Sequence, residues 1–344
     1  MNKKVSLNDL AKELNLSKTL ISMVLNGKGD KIKISKETQK RVLAKAKELN
    51  YAPNQFARAL RLGKSNTIGL IVPDISNPFY ARLALVIENA LQRNGYNLFI
   101  CNTNENEQKE IALIQSLKSR SVEGILLASC LKKVNDLTGL ANSDFPLVLV
   151  DRTFKNTSFH SIGTDNFKAG QKAAEYFIES GIDRPIVFGL KPIQVSSIQE
   201  RLNGFLKKMN ESKQGSKQNI PLYEVSVDNP EVDIRDIFKK TLKSNNGKTG
   251  VFALNNVVAI TVLKCMKTLQ LKIPEHVSFL SFDDLDTFEL HSPGITAIEQ
   301  KVDEMGILAV EQLLNQLKEH TGSKKITSKK LDVTFKIRAS VKTN

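Results

Sequence analysis

The chain has 344 residues, long enough for two or three cores, and its 41% apolar and 25% charged residues are ordinary for a globular protein rather than a disordered one. No apolar run approaches the roughly 18 residues of a membrane span, and residues 1–15 lack the apolar segment of a signal peptide, so a cytoplasmic protein is expected. Three dispersed cysteines (Cys101, Cys130, Cys265) and four scattered histidines offer no disulfide framework, metal centre or His-based triad; buried reduced thiols and no cofactor are expected.

Charge is placed unevenly. Of 50 basic and 36 acidic residues, 15 and 5 fall within 1–64, leaving 35 and 31 on the other 280. A small basic module on a nearly balanced body fits a polyanion partner. A solvated lysine-rich face fits composition equally, so the pattern inside the segment must decide. Ser6, followed by Asp9, is placed to cap a helix with Leu7, Leu10, Ala11 and Leu14 at helical spacing. Ser17 caps a second helix with Leu20, Ile21, Val24 and Leu25, stopped by Asn26-Gly27, and Ser35 caps a third over 36–49 with Val42, Leu43, Ala46 and Leu49 inward. Two short helices around a tight turn, completed by a third, read as a helix-turn-helix unit whose second helix offers Lys18, Thr19 and Ser22 to a major groove; a generic three-helix bundle is the other reading. Residues 54–63 carry Ala57, Leu60, Arg58 and Arg61 at helical spacing, too few to be stable alone. Gly63-Lys64-Ser65 imitates the end of a phosphate-binding loop, but Arg58 stands where its first glycine belongs and no strand precedes it.

From residue 67 onward short apolar runs alternate with helical segments. Strands are predicted at 68–72, 97–101, 124–128 and 147–150, with helices near 80–94 and 107–119. A second series places strands at 185–189, 222–227, 251–254 and 277–282, helices at 198–210, 232–243 and 257–269, and a late helix at 304–320. Such alternation builds parallel sheets with helices on both faces, here two doubly wound subdomains with a ligand cleft outside the strand C-termini. Polar residues collect at that location: Asp74, Asn77, Asp151, Arg152, Asn255, Asn256, Asp283, Asp284 and Gln300, with Arg201 early in a helix and Phe79 and Tyr80 nearby. Singly each reads as a cap or turn residue. Together they suit a polyol, since carboxylates and amides bond vicinal hydroxyls and aromatics flank a sugar's apolar face. No nucleophile–base pair accompanies the carboxylates, so an enzyme is not expected.

These segments resemble the LacI/GalR (lactose-repressor) family. The likeness is carried by Leu16-Ser17-Lys18-Thr19-Leu20-Ile21-Ser22-Met23-Val24-Leu25-Asn26, by Ser35-Lys36-Glu37-Thr38, by Leu49-Asn50-Tyr51-Ala52-Pro53-Asn54 and by Ala57-Arg58-Ala59-Leu60-Arg61. It continues through 67–79, ending Ser76-Asn77-Pro78-Phe79, and reaches Arg338-Ala339-Ser340. It implies an all-α helix-turn-helix domain over 1–50, a hinge helix over 51–64 that orders on DNA, and a periplasmic-binding-protein-like α/β core over 65–344. The core divides into an N-subdomain of about 65–165 with 299–325 and a C-subdomain of about 166–298 with 326–344. DNA contacts are then expected from Ser6, Ser17, Lys18, Thr19, Ser22, Met23, Asn26, Asn54, Ala57, Arg58, Leu60 and Arg61, with Leu60 as a minor-groove wedge. Effector contacts are expected from Asn77, Phe79, Tyr80, Asp151, Arg152, Arg201, Asn255, Asp283 and Gln300, a set similar to the sugar contacts of ribose-type periplasmic binding proteins.

The resemblance has departures. Met23 stands where many members have Arg, and loop 26–34 is about three residues longer than usual. Asn256 replaces an Asp, and Ala259-Ile260-Thr261 lacks a glycine; both are expected to stay clear of the effector set. No leucine heptad follows Arg338, so the resemblance implies a homodimer on a palindromic double-stranded operator. The expected protein is a transcriptional regulator, a repressor of carbohydrate genes, controlled by a free monosaccharide, with a sugar phosphate or a nucleobase as other ligands. The alternative is a cytoplasmic sugar-binding protein without specific DNA readout.

Overall fold

The computed structural model describes residues 5–49, 51, 64–138, 145–154, 157–190, 196–212, 220–225, 230–241, 247–318 and 326–343. The chain divides into two units, Met1–Ser65 and Asn66–Asn344.

The first unit holds α1 (Leu7–Leu14), α2 (Lys18–Leu25) and α3 (Lys36–Glu48). Each begins at a serine whose hydroxyl accepts an otherwise unpaired backbone N–H: Ser6 from Asp9 at 3.3 Å, Ser17 from Leu20 at 3.2 Å and Ser35 from Thr38 at 3.2 Å. Asp9 returns the favour to the Ser6 N–H at 2.8 Å, completing a capping box. Asn15, in the left-handed region at φ 52°, ends α1 and turns Leu16 N–H onto the Ala11 carbonyl. Leu10, Leu14, Ile21, Val24, Val42 and Ala46 form the core. Leu43, expected inward, is instead 52% exposed. Val42 and Ala46 already supply the i, i+4 stripe of α3, and one residue onward the helix has turned by about 100°.

The second unit begins with β1 (Thr67–Val72), α4 (Pro78–Arg93), β2 (Asn97–Asn102), α5 (Glu107–Ser119), β3 (Gly124–Leu127), α6 (Val134–Thr138), β4 (Leu147–Val150) and β5 (His160–Thr164). It continues with α7 (Asn166–Glu179), β6 (Arg184–Leu190), α8 (Ser196–Ser212), β7 (Leu222–Val225), α9 (Pro230–Thr241), β8 (Thr249–Ala253), α10 (Asn256–Thr268), β9 (Ser278–Phe282), α11 (Asp286–Leu290) and β10 (Thr296–Gln300). Then come α12 (Val302–Lys318), β11 (Ser328–Leu331) and β12 (Val333–Lys336). Two six-stranded sheets result, ordered β11-β5-β4-β3-β1-β2 and β12-β10-β9-β8-β6-β7. Their pairings are parallel except for β10 with β12. Both faces of each sheet are covered, so strands such as β3 and β4 are buried at every residue, while alternate side chains feed different clusters: Leu70 and Val72 one side, Ile71 the other.

The chain passes between the sheets three times: after β5, after β10 and between β11 and β12, where Asp332 alone intervenes. Expected subdomain limits at 298/299 and 325/326 therefore move. Strand β10 keeps the second sheet through Gln300, and β11 belongs to the first sheet through Leu331 because its parallel partner is β5. Within the second sheet's subdomain, α7 and α8 pack backbone against backbone through Gly170 and Gly204, where no side chain fits. Of the cysteines only Cys265 is buried; Cys101 and Cys130 are half-buried, so the expectation of three buried thiols is corrected.

Candidate functional site

Two sites are built on this frame. In the first unit the N-terminus of α2 presents Ser17, Lys18 and Thr19 to solvent, with Ser22, Met23 and Asn26 half-buried behind them. Asn26 Nδ2 donates to the Ser22 carbonyl at 2.5 Å and to its hydroxyl at 3.3 Å, which fixes the C-terminal turn of the helix. Ser6 lies in the α1 cap. The long loop over 26–34 is an ordered turn. Asp30 accepts from Lys36 Nζ at 2.8 Å and Gln39 Nε2 at 2.9 Å, and Gln39 Nε2 also donates to the Ile34 carbonyl at 2.8 Å. This anchoring leaves Lys28, Lys31 and Lys33 exposed on one turn, a cluster suited to phosphates. Asn54, Ala57, Arg58, Leu60 and Arg61 lie outside the described residues.

In the second unit the residues expected to meet an effector converge from strand ends of both sheets. Asp151, directly after β4, and Asp283, directly after β9, occupy equivalent places in the two sheets, and both are held in the left-handed region, at φ 62° and 68°. Each gives its N–H to the next strand, to Ile162 and Ile298 at 2.9 Å. A non-glycine residue seldom adopts this conformation, and such strain concentrates where a side chain must be aimed. Asp151 is buried and accepts the Tyr80 phenol at 2.8 Å; burial raises its pKa despite Arg152 and Arg201 beside it. Burial also lifts the Tyr80 phenol well above its ordinary range, so Tyr80 is a neutral donor. Phe79 meets Tyr80 edge to face, ring centroids 5.0 Å apart.

Asp283 accepts Gln300 Nε2 at 2.6 Å, and Gln300 Oε1 accepts the Thr164 hydroxyl at 2.5 Å. The second of these links the ends of β5 and β10, where the chain crosses between sheets, and the first ties β10 to the end of β9. Arg201 is buried: Nε donates to Asn166 Oδ1 and Nη1 to the Leu254 carbonyl, both at 2.8 Å, and the guanidinium lies 3.5 Å from the Phe282 ring centroid. Burial lowers its pKa, while Asp283 and Asp151 work to keep the charge. Asn77 caps α4 and Asn255 caps α10, accepting from Phe79 N–H at 3.0 Å and Val258 N–H at 2.9 Å. Arg152 donates both terminal nitrogens to Glu105 at 2.7 and 2.6 Å.

Asn256, expected to stand clear, is part of the site. Its amide and that of Asn77 exchange two hydrogen bonds, 2.8 and 3.2 Å, across the cleft, and its N–H faces Asp283 at 3.4 Å. A first-turn N–H directed at the neighbouring strand-end carboxylate forces this closeness, whatever the side chain. Asp284 turns away instead, in a bidentate pair with Arg338 at 2.8 Å, and Asp74 closes its own turn through Ser76. Glu105, Thr164 and Asn166 went unread in the sequence, although Glu105 follows β2 and Thr164 ends β5, the same strand-end location that selected the others.

Behind Arg152, α5 buries Glu110, which accepts the Ser129 hydroxyl and the Cys130 N–H at 2.6 Å each. Burial raises its pKa against those bonds, and burial with Glu110 beside it pushes the Cys130 thiol up to about 12. A carboxyl raised in the fold contributes stability that is present below its unfolded pKa of about 4.3 and is lost as pH rises through the folded value. The melting temperature of Glu110→Gln relative to the parent should therefore climb from pH 4 to pH 7 in thermal melts; a constant difference would count against the buried charge.

Family comparison gives two matches. The model for periplasmic binding proteins and the sugar binding domain of the LacI family covers residues 65–339, and that for bacterial regulatory proteins, lacI family, covers 6–54. The chain is 30% identical to the ribose operon repressor of Halalkalibacterium halodurans over 312 residues, 91% of this chain and 90% of that one. It is 30% identical to the transcriptional repressor PurR of Pasteurella multocida over 339 residues, 98% of each. Among solved structures, a LacI family transcriptional regulator from Enterococcus faecalis with bound ribose superposes with TM-score 0.68 at 28% identity, covering 80% of this chain and 98% of that one. The lac repressor dimer bound to operator shares the fold over 98% of this chain and 99% of that one, with TM-score 0.85 at 19% identity. With a helix-turn-helix head and a two-sheet core both matched in order, the chain belongs to the LacI family of bacterial transcription regulators.

Proposed function

We propose that the protein is an effector-responsive repressor of carbohydrate genes, binding a palindromic operator as a homodimer and a neutral monosaccharide, a pentose first, in the cleft of its core. The observation that carries the ligand class is charge matching. Among the described residues, the two buried guanidiniums that converge there, Arg152 and Arg201, are matched by the carboxylates Glu105, Asp151 and Asp283, while Lys301 at the mouth of the cleft is half exposed and paired with Glu304. What the cleft offers a guest is a set of oriented acceptors and donors, the pattern of a polyol site. The ribose operon repressor and the ribose-bound regulator among its relatives support a pentose.

The mechanism is linkage. A sugar bonded from both sheets favours one disposition of the subdomains around the Thr164–Gln300 crossover; whichever disposition it favours biases DNA affinity, and DNA biases sugar affinity equally. On the DNA side, Lys18 and Thr19 read the major groove, Ser22, Met23 and Asn26 shape that surface, and Asn54, Ala57, Arg58, Leu60 and Arg61 form the hinge. Lys28, Lys31 and Lys33 contact phosphates.

Selection of random duplex DNA by the purified protein, with and without monosaccharides, tests the reading. A palindromic consensus is expected, with recovery that changes when the right sugar is added and log affinity that falls linearly with log salt. Sugar binding with no consensus under either condition would favour a sugar-binding protein without DNA readout.

A further inference from the structure

Glu105 stands in an unusual position. It and Asn104 are consecutive non-glycine residues in the left-handed region, at φ 56° and 55°. Their turn is stitched in place on both sides: Thr103 and Asn104 N–H bond the Val72 and Pro73 carbonyls at 2.9 Å, and Asn106 caps α5 by accepting from Lys109 at 2.8 Å. Backbone strain of this kind persists where surrounding structure enforces it. What it delivers is a carboxylate onto Arg152, whose side chain is only 11% exposed, while Glu105 is 40% exposed at the outer end of the pair.

The consequence for Arg152 is specific. Both terminal nitrogens, the fork that grips phosphate or carboxylate in two parallel bonds, are occupied by Glu105. Arg152 Nε is buried with no hydrogen-bond partner among the described residues, 4.0 Å from Asp151 Oδ2. A buried donor without a partner is disfavoured unless a ligand supplies one, and a single N–H beside a carboxylate suits a hydroxyl, which accepts from one and donates to the other. A cavity of about 160 Å³ adjoins the pair, lined by Glu105, Glu107, Lys132, Arg152 and Ser196 among others; Lys132 is itself paired with Glu107 at 3.0 Å, as Arg152 is with Glu105. A substituent on the ligand would enter there and meet the Glu105 carboxylate.

We propose that Glu105 sets the charge preference of the effector site: by locking the Arg152 fork and fronting the adjoining cavity with a carboxylate, it admits neutral sugars and rejects their phosphorylated or carboxylated counterparts. Glu105 acts through Arg152 and is a positioning residue. The inference rests on the effector-site reading above.

The test is calorimetric titration of the full-length protein and of Glu105→Gln and Glu105→Asp. The ligands are a panel of neutral pentoses and hexoses, including D-ribose, and their phosphate esters and aldonates, including D-ribose 5-phosphate and D-ribonate. The parent should prefer a neutral sugar to its anionic counterparts by at least about 100-fold. Glu105→Gln should shift that ratio at least tenfold toward the anion at unchanged melting temperature, and Glu105→Asp should retain most of the parent's preference. A ratio unmoved by Glu105→Gln, or a parent that prefers the anion, overturns the inference and leaves the effector site standing. A parent that binds no member of the panel removes the effector-site reading and this inference together.

Discussion

Asp283→Ala and Arg201→Ala should each weaken sugar binding by about 100-fold or more while leaving operator affinity in the absence of sugar within about threefold. Asp283 is a fixed, buried acceptor already holding Gln300. Its removal takes away charge-assisted bonds to ligand hydroxyls, about 1.5–3 kcal/mol each, and leaves a buried amide without its partner. Two such bonds lost already exceed the about 2.7 kcal/mol that a factor of 100 represents. Arg201 works differently. It is anchored to Asn166 and Leu254 and stacked on Phe282, and it lies between Asp151 and Asp283 electrostatically, so its loss also sets two carboxylates against each other. Calorimetry with sugar and gel-shift titration of the operator separate the effects. Normal sugar affinity in both variants would put the ligand elsewhere.

Gly204→Ala should be among the most destabilising single-methyl changes available to this chain. A Cβ at 204 would lie 1.9 Å from the Phe167 carbonyl oxygen, and one at 170 would lie 2.0 Å from that of Arg201. Neither obstacle is a side-chain tip that can swing away. The helices must part by about 1 Å, and overpacking of this kind costs about 3 kcal/mol or more when backbone blocks both partners. A fall of about 6 °C or more in melting temperature is expected. Gly170→Ala should also depress sugar affinity, because the backbone it displaces carries Arg201. Gly95→Ala is the control: its Cβ meets open space, so only its φ of 79° is penalised, by about 1–2 kcal/mol. Equal melting temperatures for Gly204→Ala and Gly95→Ala would discard the backbone-contact argument.

How much of this was legible in the sequence follows the physics of each element. Helix α5 and strand β4 were read residue for residue, because a capped amphipathic run and a four-residue apolar run bounded by turns have few rivals. Strands β5, β11 and β12 escaped: His160-Ser161-Ile162-Gly163-Thr164 carries one large apolar residue, and β11 is an edge whose Ser328, Lys329 and Lys330 are exposed. Helix α7 is not legible because its buried stripe, Ala169, Gly170, Ala173 and Ala174, is made of small residues that give a weak apolar period although they lie in the core. In the site, location at strand ends and family resemblance together point to nine effector positions. The two together do not pick out Asn256, since pairing across a cleft is a property of two distant segments and leaves no local signal. Glu105 was hidden for the same reason, its role being visible only once Arg152 is seen beside it.

The three crossings between sheets impose an order on biosynthesis. The helical head is complete once Leu49 and Tyr51 have emerged, but the first sheet waits for β11 and the second for β12, about 280 residues later. At roughly 5–20 residues per second, that gap lasts about 15–60 s. Neither half of the core is contiguous in the chain, so neither can close its sheet ahead of the other, and both are finished within nine residues at the end. A ribosome-bound chain thus displays a folded, basic head on a core that cannot yet sense anything. Premature termination before β11 would yield a head tethered to two incomplete sheets with open edges, a species prone to aggregate rather than a constitutive repressor.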